Sequence, residues 1–178
     1  MYRGSSFLLQ RDYKIHRKCV KKILKKKYNK LRHITLADYK GENSAKNMKL
    51  LFCLVKEIVG DQKIKGCYEQ KPSDTLVTKI LLGTLGCVPA YDDLFKSQLK
   101  KETTLISRNK KIPASFSEKS FKKFIDECDA REEIFKDFKK NVKICKSYPD
   151  MKIIDMYFWG KYFIESDMHK KNKEKYLK

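Results

Sequence analysis

The sequence predicts an all-α protein, a compact single-domain bundle of about seven helices around a buried central helix at 74–85. Three observations predict it. Apolar residues recur at steps of three and four along most of the chain; strand-like alternation of useful length is absent; and Ser, Asp, Asn, Gly and Pro punctuate the periodic segments as caps and stops. With 178 residues the chain can bury a sizeable core. Apolar residues make up 41% and aromatics 12%, so the mean hydropathy of -0.64 reflects a charged surface over that core rather than disorder.

Taken in order, residues 12–32, DYKIHRKCVKKILKKKYNKLR, place Ile15, Cys19, Val20, Ile23, Leu24, Tyr28 and Leu31 at helical spacing with an almost wholly cationic opposite face. A second helix starts near Asn43 or Ser44, turns Ala45, Met48, Leu51, Phe52, Val55, Ile58 and Val59 inward, and stops at Gly60. Residues 60–73 read as a loop. The central helix begins at Ser73 or Asp74, and Leu76, Val77, Ile80, Leu81, Leu82 and Leu85 cover most of its circumference, which places it in the middle of a domain. Gly83 and Gly86 then allow close approach or a left-handed cap, and Pro89 opens a helix over roughly 89–100. Residues 101–114 form a Lys-rich loop.

Ser115 and Glu118 stand in capping-box spacing before Phe121, Phe124, Ile125 and Cys128. Ile134, Phe135, Phe138, Val142 and Cys145 repeat the pattern. The last helix, within YPDMKIIDMYFWGKYFIES, is apolar nearly all round and is expected against the 74–85 helix. Residues 1–165 therefore form one helical domain, and 166–178 a basic, flexible tail.

The formal charge of +20 comes from 36 Lys and 6 Arg against 22 acids. Such a balance speaks of partners rather than fold, and polyanions are the partners it favours. The charge is concentrated: residues 1–40 hold 13 Lys or Arg and 2 acids. Six cysteines (Cys19, Cys53, Cys67, Cys87, Cys128, Cys145) form no C-x-x-C pair, and neither a secretory leader nor a run of 18 apolar residues precedes them. Reduced thiols in a cytoplasmic protein are expected, with Cys19, Cys53, Cys128 and Cys145 on apolar helix faces. The spacing of structural zinc ligands is absent, so neither metal nor cofactor is expected.

Positions 14–32 carry ten cations and no acid. On one helix they would span about 28 Å. Like charges three and four residues apart repel by a few tenths of a kcal/mol per pair, a cost that a phosphate backbone would relieve. Lysines act on phosphate as point charges, and the shortage of Arg argues against bidentate reading of guanine edges. The expected nucleic-acid contacts are Lys14, Arg17, Lys18, Lys21, Lys22, Lys25, Lys26, Lys30 and Arg32, aided by Arg108, Lys110 and Lys111. The segment lacks a Trp or Phe anchor at its start, so a membrane is not the expected partner.

Two short stretches invite comparison with known families. RDYKIH, with four residues between Arg11 and His16, resembles the R-x4-6-H signature of HEPN ribonucleases, in which Arg and His of two protomers act on the scissile phosphate. SDTLVTKILLGTLGCVPAYD, residues 73–92, resembles a signature of an uncharacterised group of small bacterial proteins, which implies a shared fold and no named activity. The run from Lys79 through a turn to Pro89, Ala90, Tyr91 and Asp92 is also similar to the segment leading to the catalytic Asp of helix-hairpin-helix DNA glycosylases. Gly83 and Gly86 make it G-x-x-G where that family has G-x-G. The resemblances imply Asp92, Lys79, Arg11 and His16 as catalytic candidates. Against them, carboxylates at 92 and 93 are explained by the helix dipole alone.

Asp155, among apolar neighbours, needs a Lys or a helix N-terminus as partner. Convergence of Asp155, Asp92 and Lys79 would create a perturbed acid-base pair. No P-loop, zinc finger or paired acidic metal motif appears, which weighs against an enzyme. The expected function is nucleic-acid binding, to RNA or DNA, with weak sequence preference, in a setting such as phage-host conflict or mobile-element biology. The alternatives are a small inhibitor or adaptor of a nucleoprotein complex, as an anti-CRISPR or phage-defence protein would be, and a nuclease or base-excision enzyme. Oligomeric state is left open.

Overall fold

Tyr28, Leu31 and Ile34 recur every third residue and all three are buried. A period of three belongs to the 3-10 helix rather than the α-helix, and it explains the shape of the basic segment. In the computed structural model, which describes residues 17–61, 72–106, 115–142 and 147–165, the basic segment is not one rod. It divides into helix α1 (Arg17–Ile23) and a 3-10 helix η1 (Lys26–His33), with Lys25 extended between them at φ -61° and ψ 132°. At about 100° per residue, an unbroken α-helix would turn Tyr28 about 140° away from Ile23. The break rephases the chain so that Cys19, Ile23, Tyr28 and Leu31 all face inward. Val20 and Leu24, expected inward, are therefore exposed.

A short turn η2 (Ala37–Tyr39) leads to α2 (Ser44–Asp61), followed by α3 (Asp74–Thr84), α4 (Asp93–Ile106), α5 (Glu118–Asp129), α6 (Glu132–Asn141) and α7 (Asp150–Glu165). The protein is all-α: the described residues hold seven α-helices and no strand. α2 runs as its sequence predicts, with Met48, Leu51 and Ile58 buried, although Leu54 is buried and Ala45 exposed. Residues 101–106 continue α4 rather than forming a loop.

Several expected details shift by a few positions. The capping box of α5 is built by Ser117 and Ser120, not by Ser115 and Glu118, because the Asp74 carboxylate accepts the Phe116 N–H at 2.8 Å and fixes where the chain enters the helix. Helix α4 starts at Asp93, not Pro89: Asp92 is its cap and accepts the Phe95 N–H at 3.0 Å. On α6, Ile134 is exposed while Phe135 is buried. Cys53 is exposed, whereas Cys19, Cys87 and Cys128 are buried.

The central element is the corner after α3 rather than α3 itself. On α3 only Val77, Thr78 and Leu81 are buried, whereas Leu85 through Tyr91 are buried without interruption. A buried loop must satisfy its backbone. Here Tyr39 Oη donates to the Cys87 carbonyl (2.8 Å), Asp155 accepts the Ala90 N–H (2.9 Å), Thr78 Oγ1 accepts the Tyr91 N–H (2.9 Å), and Thr75 Oγ1 donates to the Tyr91 carbonyl (2.8 Å). Side chains from three separate elements thus replace the hydrogen bonds that a helix would have supplied. Around the corner Tyr91, Phe95, Phe116, Phe121, Phe124 and Phe158 form a chain of mostly edge-on and tilted ring contacts. The last helix packs chiefly on α4, and also on α6, rather than on α3 as expected.

Candidate nucleic-acid interface and the acidic corner

Residues 17–33 hold nine cations and no acid. Because Cys19, Ile23, Tyr28 and Leu31 point inward, the cations between them point out: Lys22 is half-buried and the other eight are exposed. Glu57 of α2 reaches into this surface. Its carboxylate accepts hydrogen bonds from Lys25 Nζ (2.8 Å), Lys27 Nζ (2.7 Å) and Tyr28 Oη (2.8 Å), and Lys22 Nζ lies 3.9 Å away. Lys25 first and Lys27 second hold the Glu57 carboxyl down at about 2, against a smaller opposing effect of burial. Glu57 therefore stays ionised through the whole physiological range.

The clamp divides the expected contact residues. Lys25 and Lys22 lie beside Glu57 and present a partly neutralised charge, as does Lys27. Arg17, Lys18, Lys21, Lys26, Lys30 and Arg32 have no ion-pair partner among the described residues. Val20 and Leu24 stand between them, 45% and 60% exposed. Lys14, Arg11, His16, Arg108, Lys110 and Lys111 lie outside the described residues, as does the expected 166–178 tail.

The second candidate is the corner. Lys79 of α3 pairs with Asp92 at 3.1 Å, and Asp155 of α7 lies 3.7 Å from Lys152 while holding the Ala90 N–H. Burial pushes the Asp155 carboxyl up; the Ala90 N–H and Lys152 oppose this, and the field of Asp92 adds to it. Lys79, Asp92, Asp155 and Lys152 thus come together, the convergence that would make an acid-base pair. Both carboxylates are nevertheless engaged by backbone N–H groups that would otherwise lack partners, which gives each a structural role. A cavity of about 160 Å³ lies elsewhere, between Leu36, Phe135, Ile153 and the side chains of Lys136, Lys139 and Asp150.

Among the described residues no group of three or more His, Cys, Asp or Glu could hold a metal ion, and no helix is long and apolar enough to cross a membrane. Two features escaped the sequence. Arg131 and Glu102, far apart in the chain, form a buried ion pair. Trp159, on a helix whose composition suggests burial all round, is half exposed; a lysine seven residues before it, Lys152, was the available signal that this stripe meets water. No family model matches the chain, and neither the curated proteins nor the solved structures compared with it give a match.

Proposed function

We propose that the protein binds nucleic acid, RNA or DNA, with little sequence preference, through the cationic surface of α1 and η1. The observation that carries this reading is the set of six outward cations with no ion-pair partner among the described residues, beside a carboxylate already engaged by its own lysines. The repulsion stored among those six is relieved by a phosphate backbone. Six neutralised phosphates give a slope of log K against log salt of about -5 on duplex DNA, and a loss of affinity of about a thousandfold between 50 and 200 mM salt. Fluorescence anisotropy with a labelled oligonucleotide measures this. A flat salt dependence removes the proposal, and replacing Lys18, Lys21, Lys26 and Lys30 by Gln weakens binding to all sequences alike while leaving the fold intact.

The exposed pair Val20 and Leu24 favours a second reading, a small inhibitor or adaptor of a nucleoprotein complex. In that case the apolar pair meets protein while the surrounding cations meet nucleic acid. It predicts poor binding to naked oligonucleotides and co-elution with a nucleoprotein on gel filtration.

A further inference from the structure

Helix α7 has two unlike faces. Phe158 and Ile154 are buried, Lys161 lies 3.0 Å from Glu102, and Glu165 pairs with Lys101 at 2.6 Å, so this side is anchored to α4. On the opposite side, Lys152, Met156, Trp159 and Phe163 fall within one stripe at about 100° per residue. Trp159 is 47% exposed and packs against Phe163 with ring centroids 4.2 Å apart, while Tyr162 meets the Phe163 ring edge-on at 6.0 Å. Gly160 borders the stripe, and a β-carbon there would touch nothing within 4 Å. Trp159 is thus the exposed ring of the stripe, while Tyr162 and Phe163 are half-buried beside it.

We propose that this face, with Trp159 at its centre, is a base-stacking platform for single-stranded nucleic acid; the proposal rests on the nucleic-acid reading above. An exposed indole braced by a second ring offers a rigid π surface, and every base has a π face to set against it. Charge selects the occupant. A second copy of this chain brings another +20 and is repelled, whereas a single strand brings phosphates together with unpaired bases. Paired duplex bases cannot reach an indole plane, so the platform distinguishes single from double strands while the cationic surface of α1 and η1 does not.

Trp159 is the chain's only tryptophan, so its emission reports on this site alone. Titrating the full chain with oligothymidylate should quench that emission, and added salt should restore it. Trp159→Ala should weaken single-strand binding about tenfold, Trp159→Phe should keep most of the affinity, and duplex binding should be unchanged in both. Because Trp159 is half exposed, both variants should stay folded, with Trp159→Ala melting somewhat lower through the lost contact with Phe163. Anisotropy showing tight single-strand binding with no quenching and no effect of Trp159→Ala overturns the platform and leaves the cationic reading standing. Equal loss on single and double strands overturns stacking as well. A gel-filtration dimer that Trp159→Ala dissolves assigns the face to self-association and overturns it. Absence of any binding at low salt overturns both readings together.

Discussion

Pro149 lies so close to Gly86 that a β-carbon at residue 86 would sit 2.5 Å from its Cγ and 2.8 Å from its Cβ, and Gly86 has φ +64°. Both facts demand glycine. Gly86→Ala therefore meets a left-handed penalty of about 1 kcal/mol and an overpacking penalty of about 1–3 kcal/mol. Gly83, three residues earlier, is helical and exposed, and a β-carbon there would meet nothing within 4 Å. Gly83→Ala should instead stabilise by about 0.5–1 kcal/mol. Urea unfolding of the two variants checks this, and equal effects from both would remove the close-approach account.

That contrast marks what the sequence could and could not say. Periodicity located the helices because burial of one face leaves its spacing in the chain, as on α2, where Met48, Leu51 and Ile58 keep steps of three and seven. The two glycines look alike in sequence, because what separates them is a proline 63 positions away, just before α7. The same holds for the cationic segment. Its apolar residues fit a single helix on paper, but Tyr28 and Leu31 follow a period of three, and the helix breaks at Lys25 to bury them. Glu57 is visible in sequence as an acid amid the apolar pattern of α2, whereas its three lysine neighbours depend on how α1 and η1 land on that helix.

Glu57 links stability to nucleic-acid affinity in opposite senses. Its carboxyl is held down at about 2 in the folded protein, below the unfolded value of about 4.3. A depressed carboxylate contributes stability that is fully present above the unfolded value and is lost as pH falls toward the folded one. Glu57→Gln should thus be less stable than wild type at pH 7, and the gap should close between about pH 4 and pH 2. The same variant releases Lys25 and Lys27, so affinity for nucleic acid should rise at low salt and the salt slope should steepen by up to about two. Unchanged affinity would mean that the phosphate path does not pass over η1.

Asp155 carries the reverse sign. Burial raises its folded value above the unfolded one, so the group costs nothing at low pH, where it is protonated in both states, and costs stability as pH rises. Asp155→Asn keeps an oxygen acceptor for the Ala90 N–H and removes the charge. It should gain on wild type as pH rises from about 4 toward 7. Asp155→Ala removes the acceptor and should cost about 1–3 kcal/mol by leaving that buried N–H without a partner. A thermal-melt series across pH in which the Asn and Ala variants run together would show that the hydrogen bond contributes nothing.

Arg131 and Glu102 form the most deeply buried ion pair among the described residues, with side chains 9% and 6% exposed. Arg131 Nη1 donates to Glu102 Oε2, Lys161 Nζ stands 3.0 Å from the other oxygen, and Glu127 lies 3.7 Å from Nη2. The cluster joins α4 to α7 and to the turn between α5 and α6. Desolvating two charges costs several kcal/mol each, so their attraction is largely offset and the pair is a poor source of net stability. Breaking it is a different matter, because the remaining charge keeps its desolvation cost without its partner. Glu102→Ala or Arg131→Ala should each cost about 3–5 kcal/mol, whereas the double replacement Glu102→Leu with Arg131→Met should fall much nearer wild type. A double-mutant cycle from urea midpoints reads the difference. If the paired apolar replacement is as damaging as either single one, the pair contributes stability directly, through Lys161 and Glu127 as well as through its own contact.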